Sequence, residues 1–323
     1  PCAGLSLMNS SNKKDSSAAR GSDAVQNEWI YKSSEFILET IKPRVLFGEN
    51  APGLYTNTGV GVVDKLYAIA KKHNYSISLY KTNAVYHGIP QRRERTFFFF
   101  WDSNQVPILD NYRREHKHLK DYLVEIPEKA SLQDKYVGLG SAETNPFVLF
   151  MKKKAGDNWR IDGGKAKTAT SWLVKNGYID EMISWMETDY HYELDGIKDY
   201  KGKILKYLNH VKEKVAKSMG WWDSTPHFFD DTTNAIIGRT IQTALHPVED
   251  RGLNLRECMH LMGLPHDFEI KGLEHYNHIA QNVPTYEVIK YLKGETKMSG
   301  VDFMKQSNST SKIETPLKNK QLF

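Results

Sequence analysis

Apolar residues recur at helical spacing over residues 23–41. Trp29, Ile30, Phe36, Ile37 and Ile41 carry the pattern, Asp23 stands where a cap would, and Pro43 ends it. Residues 44–48 then form a short apolar run that predicts a buried strand, with Glu49 and Asn50 at its carboxyl end. In open α/β sheets that end is where ligands bind. Residues 61–73 predict a second helix. Residues 75–81 alternate as a strand does, and residues 95–101, with four consecutive phenylalanines, predict another. Strands alternating with helices predict a parallel α/β layer.

From about residue 105 to residue 247 strand signals fade, and helical segments are predicted near 165–176, 179–188 and 202–219. The last carries Lys203, Lys206, Lys212, Lys214 and Lys217 on one side, with Glu213 among them. Ile204, Leu205, Leu208, Val211, Val215 and Met219 form the other side. Such a face is either a solvated lysine surface or a phosphate-contacting one. Pattern returns at 251–268, where Leu255, Cys258, Met259, Leu261 and Met262 predict a helix ending at Gly263. Residues 278–292 are again apolar, with Pro284 at a helix start. Residues 6–26 and those after 294 are polar, the first read as a mobile loop and the second as disordered.

Composition narrows the class. At 323 residues, the chain is expected to hold two domains, or one large domain with an insert. Hydrophobic residues are 40% and charged residues 26%, as in a soluble globular chain, and no apolar run reaches membrane-spanning length. A net charge of +5 is compatible with nucleic acid. The two cysteines, Cys2 and Cys258, lie far apart, which predicts reduced thiols and a cytoplasmic location. Gly59-Val60-Gly61 and Gly138-Leu139-Gly140 lack the strand and follow-on of a dinucleotide loop.

The candidate chemistry sits in separated blocks. Pro1-Cys2 places a thiol in a turn. Glu49-Asn50-Ala51 ends the first strand, and Gln91-Arg92-Arg93-Glu94-Arg95 opens the aromatic one. Residues 251–257 lead into Leu261-Met262-Gly263-Leu264-Pro265, and Ile279-Ala280-Gln281-Asn282-Val283-Pro284 follows. Read singly, Glu49 also suits a strand-end cap and Arg93 and Arg95 a surface phosphate clamp, while Cys258 reads as core packing. Together and in this order, with a long insert between Arg95 and Arg251, the blocks resemble those of the cytosine-5 DNA methyltransferase family over residues 1–101 and 246–292. The Gln281-Asn282 order departs from the family's usual Gly-Asn.

The resemblance implies the C-terminal part of a class I, Rossmann-like methyltransferase sheet of α/β class with an inserted target-recognition domain. On that reading residues 1–105 are catalytic, 106–245 read the target, 246–292 return to the catalytic domain, and 293–323 form a polar tail. It further implies methyl transfer from S-adenosylmethionine to C5 of a flipped-out cytosine in double-stranded DNA, through a covalent Cys2 adduct at C6. Glu49 would serve N3, Arg95 the cytosine O2, and Arg93 the nucleophile loop and phosphate. Asn50 and Gln91 would bind substrate. Pro1, Gln281, Asn282 and Val283 would contact the cofactor, and no metal is implied. Restriction-modification in a bacterial or phage setting fits this family. The family's glycine-rich cofactor half has no counterpart from Pro1 onward. The expectations are therefore a fragment, then a split enzyme whose second polypeptide carries that half, then a catalytically inactive DNA-binding remnant. RNA cytosine-5 methylation is a related alternative.

Overall fold

The computed structural model describes residues 5, 22, 24–104, 106–107, 113–127, 144–192, 198–221, 225–237, 243–269, 279–280 and 310–311. The chain divides into two compact units. One holds 1–88, 93–115 and 287–323, and the other 89–92 and 116–286.

The first unit is built on β1 (Val45–Asn50), α2 (Val60–Lys72), β2 (Ser76–Asn83) and β4 (Glu94–Trp101), with α1 (Glu28–Thr40) preceding them. The sheet order is β1-β4-β2. Here the expected all-parallel layer is corrected: β4 lies between β1 and β2 and runs antiparallel to both. Residues 84–93, which join β2 to β4, contain one 3-10 turn and no α-helix, so the chain cannot cross over and must return antiparallel. A short pair, β5 (Val106–Pro107) with β7 (Thr310–Ser311), completes the described strands of this unit.

Alternation along β4 sorts its side chains between two faces. Phe98 and Phe100 are buried with Ile30, Leu38, Leu54, Val62, Val63, Leu66 and Ile77, so α1 and α2 both pack on this face. Gly48 sits opposite Phe98, and a Cβ there would meet the ring at 2.1 Å, so the position has room only for glycine. The other face carries an aromatic ladder in which Phe47 stacks on Phe99 at 6.0 Å and Phe99 on Trp101 at 5.3 Å. Residues 44–48 are therefore half of a two-faced strand rather than a buried one, and Phe47 is 64% exposed.

The first helix also departs from its predicted face. It starts at Glu28 after a 3-10 turn at Val25–Asn27, with no side-chain cap bond at Asn27, while Asp23 lies outside the described residues. Ile30, Ser34 and Leu38 face the core. Trp29 and Phe36 instead lie on the opposite side, 67% and 63% exposed, with Val25 one turn before them.

The second unit is mainly helical: α3 (Leu119–Leu123), α4 (Pro146–Ala155), α5 (Trp159–Ala166), α6 (Ala169–Lys175), α7 (Ile179–Thr188), α8 (Tyr200–Ala216) and α9 (Leu255–Leu261). Three helices here were not anticipated, α3, α4 and α5. The start of α4 was readable in the sequence, since Asn145 caps Phe147 and Val148 through its side chain and Pro146 takes the first helical position. Aromatic and aliphatic side chains of α4 to α8 form one core, from Phe147 to Val211. On α8 the predicted apolar face holds through Leu208 and Val211 and then runs out, leaving Val215 and Met219 exposed. A second core gathers around α9 and α3, with Cys258 fully buried in it. As predicted, α9 ends at Gly263, whose φ of 66° is the left-handed turn that suits glycine. Two-residue β3 (Gln91–Arg92) pairs in parallel with β6 (Thr233–Asn234). Among the described residues no helix is long and apolar enough to cross a membrane.

Candidate active site

The first unit brings Glu49, Asn50, Arg93 and Arg95 to one end of its sheet. Glu49 and Asn50 are the last two residues of β1, as the sequence predicts. Antiparallel register sets Glu49 opposite Phe97 and Asn50 opposite Thr96. Arg95 therefore lies diagonally across from Glu49 on the face of the aromatic ladder, and its Nε stands 2.9 Å from Glu49 Oε1. The approach is an ion-pair contact without the alignment of a straight N–H···O bond, since neither atom completes a hydrogen bond by direction. Both side chains are mostly covered, with 17% of Arg95 and 27% of Glu49 exposed.

Burial dominates the electrostatics of Glu49. It pushes the carboxyl above its ordinary value of 4.5, although Arg95 and then Arg93 pull the other way. Two guanidiniums thus fail to offset the loss of water, and this acid holds its proton to higher pH than an exposed one. Arg93 is 2% exposed, so it is no surface clamp. Its carbonyl accepts from Ala84 N–H at 3.1 Å, which ties the turn after β2 to the start of β4.

Two groups absent from the sequence-based expectations, Thr96 and Tyr55, hold this geometry together with Asn50. Thr96 Oγ1 donates to the carbonyls of Asn50 and Ala51, each at 3.0 Å, and so locks the end of β1 against β4. A hydroxyl on the inward side of an otherwise apolar strand was the signal, because a buried hydroxyl needs a partner. Tyr55, in the 3-10 turn Pro52–Tyr55, donates its hydroxyl to the Phe97 carbonyl at 2.5 Å. Asn50 Oδ1 accepts from Ala51 N–H at 2.8 Å, while its fully buried Nδ2 has no acceptor among the described residues.

Gln91 belongs to the second unit, where it is fully buried. Its Nε2 donates to the Leu261 carbonyl at 2.6 Å, and its Oε1 accepts from Ile236 N–H at 3.1 Å. The Gln-x-Arg-x-Arg block is thereby split, with its glutamine in one unit and its two arginines in the other. In the second unit Arg251 also grips Glu257 through two nitrogens, at 2.9 and 2.7 Å. Glu257 in turn closes a capping box with Asn254 at the start of α9. Arg256 donates to the His266 carbonyl at 3.0 Å. Cys258 is inert packing, its thiol pushed up by burial. Cys2, Pro1, Gln281, Asn282 and Val283 lie outside the described residues. Among the described residues no cluster of three or more His, Cys, Asp or Glu could hold a metal.

The family model for C-5 cytosine-specific DNA methylase matches residues 1–294. The type II methyltransferase M.PspPI of Psychrobacter sp. (strain TA137) is 24% identical over 278 residues, covering 82% of this chain and 56% of that protein. The chain thus spans little more than half the length of this relative. Among solved structures, a DNA modification methyltransferase described as encoded within a prophage (E.coli) aligns with a TM-score of 0.46 at 17% identity, over 86% of this chain and 75% of its own. The Entamoeba histolytica methyltransferase EhMeth aligns with a TM-score of 0.44 at 14% identity, over 92% and 76%.

Proposed function

Because this chain belongs to the C-5 cytosine-specific DNA methylase family, we propose that it methylates C5 of a flipped-out cytosine in double-stranded DNA. The observation that carries the reading is the Glu49–Arg95 pair, covered and 2.9 Å apart, with the acid's proton affinity raised by burial. C5 of cytosine is a weak nucleophile until a thiolate adds at C6. In that step Cys2 Sγ forms a bond to C6, the C5=C6 π pair moves onto C5, and N3 gains a proton. Glu49 delivers that proton, which burial keeps on the carboxyl to higher pH than on an exposed acid. Arg95 beside it offers N–H groups to the cytosine O2. Buried Arg93 supplies positive charge that favours the Cys2 thiolate, and Asn50 Nδ2 is a buried donor with no acceptor among the described residues. The part of Gln91 is positional, since its side chain is engaged within its own unit.

S-adenosylmethionine supplies the electrophilic methyl when bound. A carboxyl and a guanidinium suit N3 and O2 of the ring rather than a sulfonium, so holding the cofactor falls to Pro1, Gln281, Asn282 and Val283, as the family resemblance implies. Loss of the C5 proton to solvent water acting as base then re-forms the C5=C6 bond, the Sγ–C6 pair leaves on Cys2, and N3 returns its proton to Glu49. The name of the relative M.PspPI, a type II methyltransferase, favours DNA over RNA and a restriction-modification setting.

Covalent trapping tests this reading. The chain is complemented with the portion of M.PspPI that it does not match, then incubated with S-adenosylmethionine and duplex DNA containing 5-fluorocytosine. A denaturation-resistant adduct is expected for the wild type and for Cys258→Ser, and none for Cys2→Ser. Equal trapping by Cys2→Ser, or none by the wild type, removes the proposal.

A further inference from the structure

We propose that the outer face of α8 is a phosphate-backbone contact surface for duplex DNA. This deepens the functional reading above by naming where the substrate is gripped, and it rests on DNA being the substrate. Most lysines of the helical unit's other faces are already engaged by acids or carbonyls. On α4, Lys152 pairs with Asp250 at 2.7 Å, Lys153 with Asp189 at 3.3 Å, and Lys154 with Glu181. On α8 itself, Lys212 pairs with Asp180 at 2.5 Å, and Lys201 donates to the carbonyls of Glu187 and Tyr190.

Lys203, Lys206, Lys214 and Lys217 differ. None has an acidic partner among the described residues, and all are exposed except the half-buried Lys214. With His210 they recur at steps of three and four, which places them on one stripe opposite buried Leu208 and Val211. Glu213, at the edge of this stripe, is the single acid there. Evolving a neutral solvated face needs only mixed charge, and the same unit achieves it on α4. Four uncompensated lysines in a row cost mutual repulsion, which a polyanion relieves.

Geometry favours a duplex backbone as that polyanion. From Lys203 to Lys217 the stripe runs about 21 Å at 1.5 Å per residue, which is about six phosphates of one strand at 3.4 Å per step. The lysines are point charges on flexible stems without bidentate geometry, so the contact is to phosphate and carries no base reading.

The test is the salt dependence of binding by the full chain to a 30-bp DNA duplex of mixed sequence. Each phosphate contact contributes about 0.9 to the slope of log K against log salt concentration. The quadruple variant Lys203→Ala, Lys206→Ala, Lys214→Ala, Lys217→Ala should therefore lose about 3 to 4 from the slope. The corresponding four Lys→Arg changes should keep it, and Lys152→Ala with Lys153→Ala should leave it unchanged. Melting curves verify that each variant is folded, as exposed helix positions allow. An unchanged slope in the quadruple variant overturns the proposal. So does a wild type that shows no salt-sensitive binding, or one that binds the matching RNA duplex more tightly. Failure of the trapping reaction with the slope loss intact would remove the catalytic reading and leave this surface standing.

Discussion

At the scale of single residues, the site turns on Glu49. Its folded carboxyl is raised above the ordinary 4.5, so the native state binds its proton more tightly than the unfolded chain does. Below pH 4.5 both states are protonated and burial costs nothing. As pH rises through the raised value, the native state must carry a buried charge and loses stability. Glu49→Gln mimics the protonated acid at every pH. Its melting temperature should match the wild type near pH 4 and exceed it at pH 7.5, while adduct formation is abolished. A variant less stable than the wild type at pH 7.5 would show that the Arg95 contact, not desolvation, governs the site. The positions of Glu49 and Asn50 at a strand end were legible because an apolar run stopping at a carboxylate is a local signal. The Thr96 and Tyr55 clamps were not, because their partners are carbonyls 45 and 42 residues away in sequence.

Among elements, the clearest lesson is β4. Periodicity revealed a strand but not its direction, since alternation reads the same both ways. The helix-free link 84–93 was the available clue to an antiparallel return. Helix α1 misled for a related reason. It is apolar on two opposite sides, and spacing alone does not tell which side the core takes. By contrast α9 was legible in full, from its apolar positions to Gly263. Its start rests on Glu257, which is mostly buried and serves both the capping box and the two-pronged Arg251 contact. Glu257→Ala should cost about 2–4 kcal/mol through loss of the cap and of a charged hydrogen-bond pair. Glu257→Gln should cost less, because an amide oxygen still accepts from Asn254 N–H. Denaturant unfolding measures both, and equal losses would show that charge rather than capping dominates.

For the whole molecule, charge and apolar surface are distributed unevenly. The helical unit places along α8 four lysines that have no acidic partner among the described residues, whereas the sheet unit leaves Trp29, Phe36 and Phe47 each more than 60% exposed. Trp29 and Phe36, two turns apart on the outer side of α1, form an apolar patch of the kind that favours association. The double variant Trp29→Glu, Phe36→Glu should lower the sedimentation-measured association of the chain without lowering its melting temperature, because neither side chain contributes to the buried core. Unchanged association would place the sticky surface elsewhere. The diagonal between Glu49 and Arg95 bears on how this protein can diverge. Because the pair is written in strand register, point changes among Phe97 to Phe100 leave it in place, whereas one inserted codon in either strand turns one partner to the opposite face. What descendants must inherit at this site is spacing more than spelling, so the half-buried Phe97 and Phe99 are freer to drift than the core Phe98 and Phe100, while insertions and deletions are confined to the links outside β1 and β4.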